Sequence, residues 1–164
     1  MEGLLANHPF TRGLTASQIS RLATLTTEVA FPQDEIVLMD GRPSTSIYLI
    51  TAGSVAVEFR AARYTVCVQA LEAGQVFGWS ALLGSPDTMF QVRARETTTA
   101  LQMDGAALED AFRADPILCA EILRGLLRVM AERVKAGDRK VTELCGAPDR
   151  RMHARNAADT VRVS

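Results

Sequence analysis

The chain has few of the residues that mark several large classes of protein. Its three cysteines, Cys67, Cys119 and Cys145, form an odd set without the CxxC spacing of metal sites and redox motifs. This excludes a disulfide framework, and a reducing cytoplasm is the expected compartment. The two histidines, His8 and His153, lie near opposite ends of the chain, which argues against a metal site or a catalytic pair.

An excess of charge of either sign is also missing. The 164 residues include 18 Lys and Arg against 19 Asp and Glu, a formal net charge of −1. A chain so close to neutral has no electrostatic footprint for nucleic acid, so we expect none to bind to this chain alone. Charges interrupt every apolar run well short of the roughly 20 residues of a membrane span, and the first residues do not resemble an export signal. We therefore expect a cytoplasmic protein that does not enter the membrane.

Catalytic signatures are absent as well. The sequence contains no phosphate-binding P-loop, no nucleophile–base arrangement and no paired carboxylates of recognisable spacing. Glu72 is an isolated carboxylate at the end of a loop, which is typical of a solvated side chain. We therefore predict a protein that is not an enzyme, with neither catalytic residues nor a metal site.

What the sequence does contain is a series of short runs rich in β-branched residues. They are Val29–Phe31, Ile36–Met39, Ile47–Ile50, Val55–Phe59, Tyr64–Leu71, Val92–Arg95 and Thr98–Met103. Turn residues separate these runs, and seven or eight strands at such regular spacing predict an antiparallel sandwich, barrel or roll. Before them, apolar residues at helical spacing predict a helix from about Thr15 to Leu25, with Thr15 as its N-cap.

After Asp104 the apolar residues return to helical spacing. Asp104 is expected to cap a short helix, and Asp115 and Pro116 to begin a long one that ends near Cys145. We expect the first part of the long helix to pack on the β-core. The residues expected to make this contact are Ile117, Leu118 and Ile122.

The apolar residues of the long helix follow a heptad pattern. Leu123, Met130 and Leu144 occupy one position of the heptad, and Leu127, Val134 and Val141 occupy another. At 1.5 Å per residue the helix is about 45 Å long, so its second half extends past a small roll and needs another surface. This predicts a parallel homodimer across Leu123, Leu127, Met130 and Val134. Residues 1–145 then form the domain, and residues 146–164 a polar and flexible tail.

Two glycine-anchored stretches carry the functional interpretation. In the first, Gly41 and Gly53 bracket the apolar strand 47–50, and each glycine is expected to form a turn with positive φ. In the second, a strand ends before Gly78, and residues 79–83 can form one helical turn. The unpaired backbone N–H groups at the start of such a turn are a ready anion site.

In this order and at these separations, the two stretches resemble the cyclic-nucleotide-binding domain of Crp/Fnr regulators, kinase regulatory subunits and gated channels. The resemblance covers about residues 8–145 and includes the sequence Phe77-Gly78-x-x-Ala81-Leu82. It implies a mainly β fold with flanking helices: an antiparallel, jelly-roll-like β-roll of the cyclic-nucleotide-binding type, followed by a long C-terminal helix. It also implies a regulatory function and a cyclic nucleotide, cAMP or cGMP, as the ligand.

The phosphate-binding cassette of that family normally reads Gly-Glu-x-x-Leu and then, after a short loop, Arg-Ser/Thr-Ala. The resemblance assigns the glutamate to the ribose 2′-hydroxyl and the arginine to the cyclic phosphate. Here Trp79 stands in place of the glutamate, and Thr88, Met89 and Phe90 in place of Arg-Ser-Ala. Each lost charge-assisted hydrogen bond removes about 1.5–3 kcal/mol. We therefore expect weak or absent binding of cAMP and cGMP.

The candidate ligand-binding residues are those that occupy the cassette. They are Gly78, Trp79, Ser80, Ala81, Leu82, Thr88 and Met89. The backbone amides of residues 78–81 are expected to hold another small anion, and Arg93 or Arg95 is an alternative source of the missing charge. The Trp79 side chain either stacks on a planar ligand or fills the emptied ribose pocket, and we favour filling because tryptophan buries a large area.

The sequence thus predicts a stand-alone regulatory sensor module for signal transduction, with a degenerate cassette that binds cyclic nucleotide weakly or takes another small anion. Two alternatives stay open. One is a ligand-free dimerisation or interaction module. The other is the effector half of a Crp/Fnr-type transcription regulator that lacks its DNA-binding domain, since residues 146–164 show no pattern of two apolar helices.

Overall fold

The computed structural model describes residues 1–83 and 88–145, with side chains up to Lys135. Within these residues, eight strands form two four-stranded antiparallel sheets. The strands are β1 Thr26–Phe31, β2 Ile36–Leu38, β3 Ser46–Ala52, β4 Ser54–Arg60, β5 Thr65–Glu72, β6 Val76–Phe77, β7 Gln91–Ala94 and β8 Thr98–Asp104. Sheet A has the order β1-β8-β3-β6, and sheet B the order β2-β7-β4-β5. The predicted antiparallel β-roll is confirmed.

Helices precede and follow the strands. They are α1 Glu2–Asn7, a 3₁₀ turn at Pro9–Thr11, α2 Ala16–Thr24, a second 3₁₀ turn at Trp79–Leu82, α3 Gly105–Ala114 and α4 Pro116–Cys145. The predicted helices correspond to α2, α3 and α4, whereas α1 and the first 3₁₀ turn are not predicted because each is too short to show a period. The internal contacts of the chain divide it into two units, Met1–Val129 with the roll and Met130–Ser164 with the rest of α4.

The predicted helix caps are present in the structure. The Thr15 hydroxyl accepts a hydrogen bond from the Gln18 amide at 3.3 Å, and the Gln18 side chain accepts one from the Thr15 amide at 3.0 Å. Asp104 and Asp115 each accept a 2.9 Å bond from the amide three residues on, at the starts of α3 and α4. Each cap satisfies amides that have no partner within the helix, which is why these residues set the helix boundaries.

Two apolar clusters hold the first unit together. The roll core lies between the two sheets and consists of Tyr48, Ile50, Val55, Val57, Leu71, Phe77, Val92 and Ala100. The helix-side core joins the other residues of sheet A to the helices. Its strand residues are Ile47, Leu49, Val76, Leu101 and Met103, and its helical residues include Leu22, Leu108, Leu118 and Ile122. Sheet A is therefore covered on both faces, because its strands supply side chains alternately to the two clusters.

The structure corrects one prediction about α4. Leu118 and Ile122 are buried as expected, but Ile117 is 70% exposed. Residues 118 and 122 are four apart and share one face of the helix, whereas residue 117 is turned about 100° from residue 118. The predicted tail 146–164 and the heptad side chains Val141 and Leu144 lie outside the described residues. No described helix combines the length and the apolar character that crossing a bilayer demands.

Candidate functional site

The cassette begins where β6 ends, at a glycine that no other residue could replace without strain. Gly78 has a left-handed backbone with φ +77°, and the 3₁₀ turn Trp79–Leu82 follows it directly. A Cβ at this position would lie within 3.0 Å of the Ser46 carbonyl oxygen, a distance that real Cβ atoms essentially never show. The Ser44 hydroxyl donates to the carbonyls of Ser46 (3.0 Å) and Gly78 (3.3 Å), which fixes the turn against the start of β3.

The amides of this turn are partly used within it. The Ala81 N–H donates to the Gly78 carbonyl at 3.1 Å, and the Leu83 N–H donates to the Ser80 carbonyl at the same distance. Ser80 and Ala81 are half-buried. The Ala81 amide is therefore not available to an anion, and the predicted anion site among residues 78–81 loses one of its expected donors.

Trp79 points in a direction that the sequence does not predict. Its half-buried side chain packs against the helix-side core, together with Leu82, and not against the roll core. The prediction that the indole fills the emptied ribose pocket stays a prediction. Packing against other apolar side chains removes its large apolar surface from water, which explains why tryptophan suits this place better than the family's glutamate does.

Thr88 uses its polar groups within the protein. Its hydroxyl lies 3.0 Å from the carbonyl oxygens of both Met39 and Arg42 and donates toward them. Its amide donates to the Arg42 carbonyl at 3.2 Å, and its own carbonyl accepts a 2.8 Å bond from Gly41. Thr88 thus ties the start of β7 to the loop after β2, while the neighbouring Met89 is exposed. The place that carries the phosphate-pairing arginine in the family holds no cation here.

Arg93 and Arg95 do not supply the missing charge. The Arg93 Nε lies 3.3 Å from the Glu58 carboxylate, and its Nη1 donates to the Asp34 carbonyl at 3.0 Å. The side chain of Arg93 alternates with Val92, which packs in the roll core, so it lies on the outer face of sheet B. Arg95 follows on that outer face and is exposed. Arg93 is therefore engaged away from the cassette, and the exposed position of Arg95 gives no support to the alternative that it replaces the cassette arginine.

The interior of the roll beside the cassette is aromatic. The Tyr48 and Phe77 rings are stacked, with centroids 4.7 Å apart, and Phe31 meets Tyr48 edge-on at 5.9 Å. Burial raises the pKa of the Tyr48 hydroxyl, and a hydrogen bond with Ser46 opposes this shift in part. These rings extend the apolar surface of the roll core up to Gly78.

Four partly exposed residues of β4, β5 and the segment before β7 were not singled out as a group in the sequence analysis. Phe59 and Phe90 form an edge-on pair with centroids 6.3 Å apart. Phe59 pairs with Val66, and the core residue Val57 pairs with Gln69, so these partners on β5 face the same way as the roll core. We call Phe59, Val66, Gln69 and Phe90 the mouth of the roll. Two features of the sequence could have identified these residues. One is their alternation along the strands, and the other is phenylalanine at residue 90, where the family has alanine.

The predicted dimer residues form an exposed stripe on α4. Leu127 and Val134 are 64% and 65% exposed, and Leu123 and Met130 are also open to solvent. The homodimer itself stays a prediction. Among the described residues, no group of three or more His, Cys, Asp or Glu side chains is placed to hold a metal ion.

The contacts of the cassette residues differ from those that the family resemblance implies. Trp79 packs on the helix-side core, the Thr88 hydroxyl donates to two backbone carbonyls, and Arg93 lies on the outer face of sheet B. Among the described residues, the roll interior beside the cassette is apolar, and the mouth carries the Gln69 amide.

Comparisons with known proteins agree with this fold. A protein of Rhodopseudomonas palustris, named as a candidate potassium channel protein, is 28% identical over 119 residues, which are 73% of this chain and 29% of that protein. A cyclic nucleotide-binding domain of Methylobacillus flagellatus has a TM-score of 0.75 at 18% identity, covering 86% of this chain and 80% of the other. The regulatory subunit of a cAMP-independent protein kinase A from Trypanosoma cruzi, bound to guanosine, has a TM-score of 0.69 at 21% identity, covering 88% and 50%.

The family match covers the roll itself. The sequence family described as the cyclic nucleotide-binding domain matches residues 28–115, from the first strand to the end of α3. This range includes both glycine-anchored stretches, the cassette and the mouth. The chain therefore belongs to the cyclic nucleotide-binding domain family.

Proposed function

We propose that this domain is a non-enzymatic regulatory module that binds cAMP and cGMP weakly or not at all. The observation that carries the proposal is the position of Thr88, whose hydroxyl donates to the Met39 and Arg42 carbonyls. A ligand phosphate at this place would meet no positive charge on residue 88 itself, and the Thr88 hydroxyl is already directed at two backbone carbonyls. The guanosine in the Trypanosoma cruzi relative supports the idea that this fold accepts ligands without a phosphate.

Calorimetric titration with cAMP tests this proposal directly. We expect the native chain to bind with a dissociation constant far weaker than micromolar. Thr88→Arg should tighten binding by about tenfold to a hundredfold, because a charge-assisted hydrogen bond contributes about 1.5–3 kcal/mol and 1.4 kcal/mol corresponds to one decade. Trp79 is left unchanged because a charged residue there would face the helix-side core.

Thr88→Gln is the matched control for this titration. It removes the same two hydroxyl contacts with the loop after β2 and adds a side chain of comparable length, but it brings no charge. We expect Thr88→Gln to bind cAMP no better than the native chain does. Micromolar or tighter binding by the native chain would contradict the proposal, since other groups would then have to hold the phosphate.

A second proposal concerns the partner, and the exposed stripe on α4 favours it. We infer that two copies of the chain form a parallel homodimer across Leu123, Leu127, Met130 and Val134. Sedimentation equilibrium at micromolar concentration should show a dimer. Met130→Glu should dissociate it, because the two copies would then bury two like charges beside each other. Arg128→Glu changes an exposed residue off the stripe and should leave the dimer intact. A monomeric native chain under these conditions would end this proposal.

A further inference from the structure

A buried histidine lies where the N-terminal residues meet the roll. His8 is only 4% exposed, and both nitrogens of its ring are engaged with backbone groups. Nδ1 accepts a hydrogen bond from the Phe10 N–H, and Nε2 lies 3.2 Å from the Ile50 carbonyl oxygen. Because Nδ1 acts as an acceptor, the network assigns the proton to Nε2, which then donates to Ile50. This arrangement requires the neutral imidazole.

The residues around His8 connect three separate parts of the fold. The Ile50 carbonyl at the end of β3 also accepts a 2.8 Å bond from the Gly74 amide, in the turn between β5 and β6. Pro9 packs on that turn, with its Cγ 3.3 Å from the place of a Cβ on Gly74. Phe10 packs on α4 at Gly125, where a Cβ would lie 3.1 Å from the Phe10 ring. We call residues 8–11 the lead-in.

Carboxylates on the neighbouring elements are engaged elsewhere or exposed. On α1, Glu2 accepts a hydrogen bond from the Ser20 hydroxyl, and on α4, Glu121 forms an ion pair with Arg124. Glu72, next to the β5–β6 turn, is exposed. Among the described interactions, His8 has backbone partners alone. A protonated imidazole would therefore be buried without a counter-ion, which is unfavourable.

We propose that His8 is a proton-sensitive latch that holds the lead-in on the roll when neutral and releases it from β3 and α4 when protonated. A proton on Nδ1 converts the acceptor of the Phe10 N–H into a second donor, so the two N–H groups oppose each other. The 3₁₀ turn Pro9–Thr11 loses its N-cap, and Phe10 loses the contact that directs it onto Gly125. The proton comes from solvent and returns to it, so no other reactant is needed.

The direction of the pH effect follows from the burial of the ring. Desolvation lowers the pKa of His8 below its ordinary value of 6.5, and the hydrogen bond with Ile50 opposes this shift in part. The latch is therefore fully closed above pH 6.5, where the imidazole is neutral both in the latched and in the released lead-in. Its stability is lost as the pH falls from 6.5 through the latched pKa, and the opening constant rises by at most about tenfold per pH unit.

Amide hydrogen exchange tests the latch, corrected for the intrinsic pH dependence of exchange. We expect protection at Phe10 and around Gly125 to fall between pH 7.5 and pH 5. His8→Asn should remove this pH dependence, because an asparagine accepts a bond from the Phe10 N–H at an N-cap and does not titrate. His153→Asn removes the other histidine and should leave the dependence unchanged. Protection that stays constant in the native chain, or a pH dependence that survives in His8→Asn, would overturn the latch.

Imidazole NMR provides a second test, which leaves His8 itself unchanged. At pH 7.5 we expect the ¹⁵N signals of one histidine to show the tautomer with the proton on Nε2, and its titration to lie below pH 6.5. The His153→Asn chain assigns this signal to His8. An Nδ1–H tautomer, or a titration of His8 at its ordinary pKa, would contradict the latch even if the His8→Asn variant failed to fold.

Discussion

The two sheets of the roll differ in how they are covered. In sheet A, the β3 residues from Ser46 to Ile50 are all buried, because one face packs in the roll core and the other in the helix-side core. In sheet B, most of β5 is exposed, and Leu71 is its one fully buried residue. Both sheets share the roll core, but the helices within the described residues pack on sheet A alone. We infer that sheet A supplies most of the stability, while sheet B leaves its surface free to vary.

The candidate site is built from segments next to both sheets. The cassette begins after β6 of sheet A, at Gly78, and its last residues, Thr88 and Met89, lie just before β7 of sheet B. The Trp79 end is packed on the helix-side core, whereas the Thr88 end is tied to an exposed loop. Substitutions at the two ends should therefore have different consequences, mainly for folding in sheet A and mainly for ligand binding in sheet B.

The largest expected effect is the loss of an isoleucine from sheet A. Ile47→Ala removes a fully buried side chain from β3 and should lower the free energy of unfolding by about 2–5 kcal/mol. Ile36→Ala removes the same side chain from β2 of sheet B, where the residue is 37% exposed, and should cost less than about 1 kcal/mol. Urea denaturation of both variants measures the difference. Equal losses would show that the two sheets contribute equally.

The next largest effect is the difference in stability between alanine variants of two glycines that have similar conformations. Gly78 and Gly41 have φ of +77° and +69°, so alanine at either position carries the cost of a left-handed backbone, about 1–2 kcal/mol. At Gly78 the new Cβ also meets the Ser46 carbonyl of β3, whereas nothing lies within 4 Å at Gly41. Gly78→Ala should therefore lower the melting temperature clearly more than Gly41→Ala does. A similar shift in both variants would mean that the β3 backbone at Ser46 moves away from the new Cβ at little cost.

The smallest effect is expected on the outer face of sheet B. Glu58 accepts hydrogen bonds from Gln91 and Arg93, and its side chain is largely buried. Glu58→Gln keeps one acceptor oxygen but removes the charge, and should cost about 1 kcal/mol in denaturation experiments. Glu109→Gln breaks an exposed pair with Arg113 and should change stability by less than about 0.5 kcal/mol. Because Arg93 lies outside the roll, neither variant should alter the titration with cAMP.

Much of the fold can be predicted from local signals. The capping residues Thr15, Asp104 and Asp115 mark the helix starts, and Gly41 and Gly53 have the positive φ that their turn positions predict. Such signals act over a few residues, so a single sequence contains them. Which sheet the helices cover cannot be predicted from such local signals. The apolar run 64–71 in β5 looks as buried as the run 47–50 in β3, because the difference depends on where the helices pack.

The candidate site could be located in the sequence but not described. Its glycine and the substitutions at residues 79 and 88 are visible by comparison with the family's cassette. The sequence does not show which way the Trp79 side chain points or which groups Thr88 contacts. Thr88 bonds to Met39 and Arg42, which are distant in the sequence. The role of His8 depends in the same way on Ile50, a residue of another element.

The register of sheet A has a consequence for how the chain folds during synthesis. Strand β8 lies between β1 and β3, and its pairing with β1 joins Thr26 to Met103 and Phe31 to Thr98. Both neighbours of β8 therefore leave the ribosome long before it does, and closing such long loops makes for a high contact order and slow folding. The β4–β5 hairpin needs only a short turn and can form within about 1–10 μs. In the nascent chain, the sheet that ends up better covered is therefore the one completed last, and its apolar strands stay exposed until β8 has emerged.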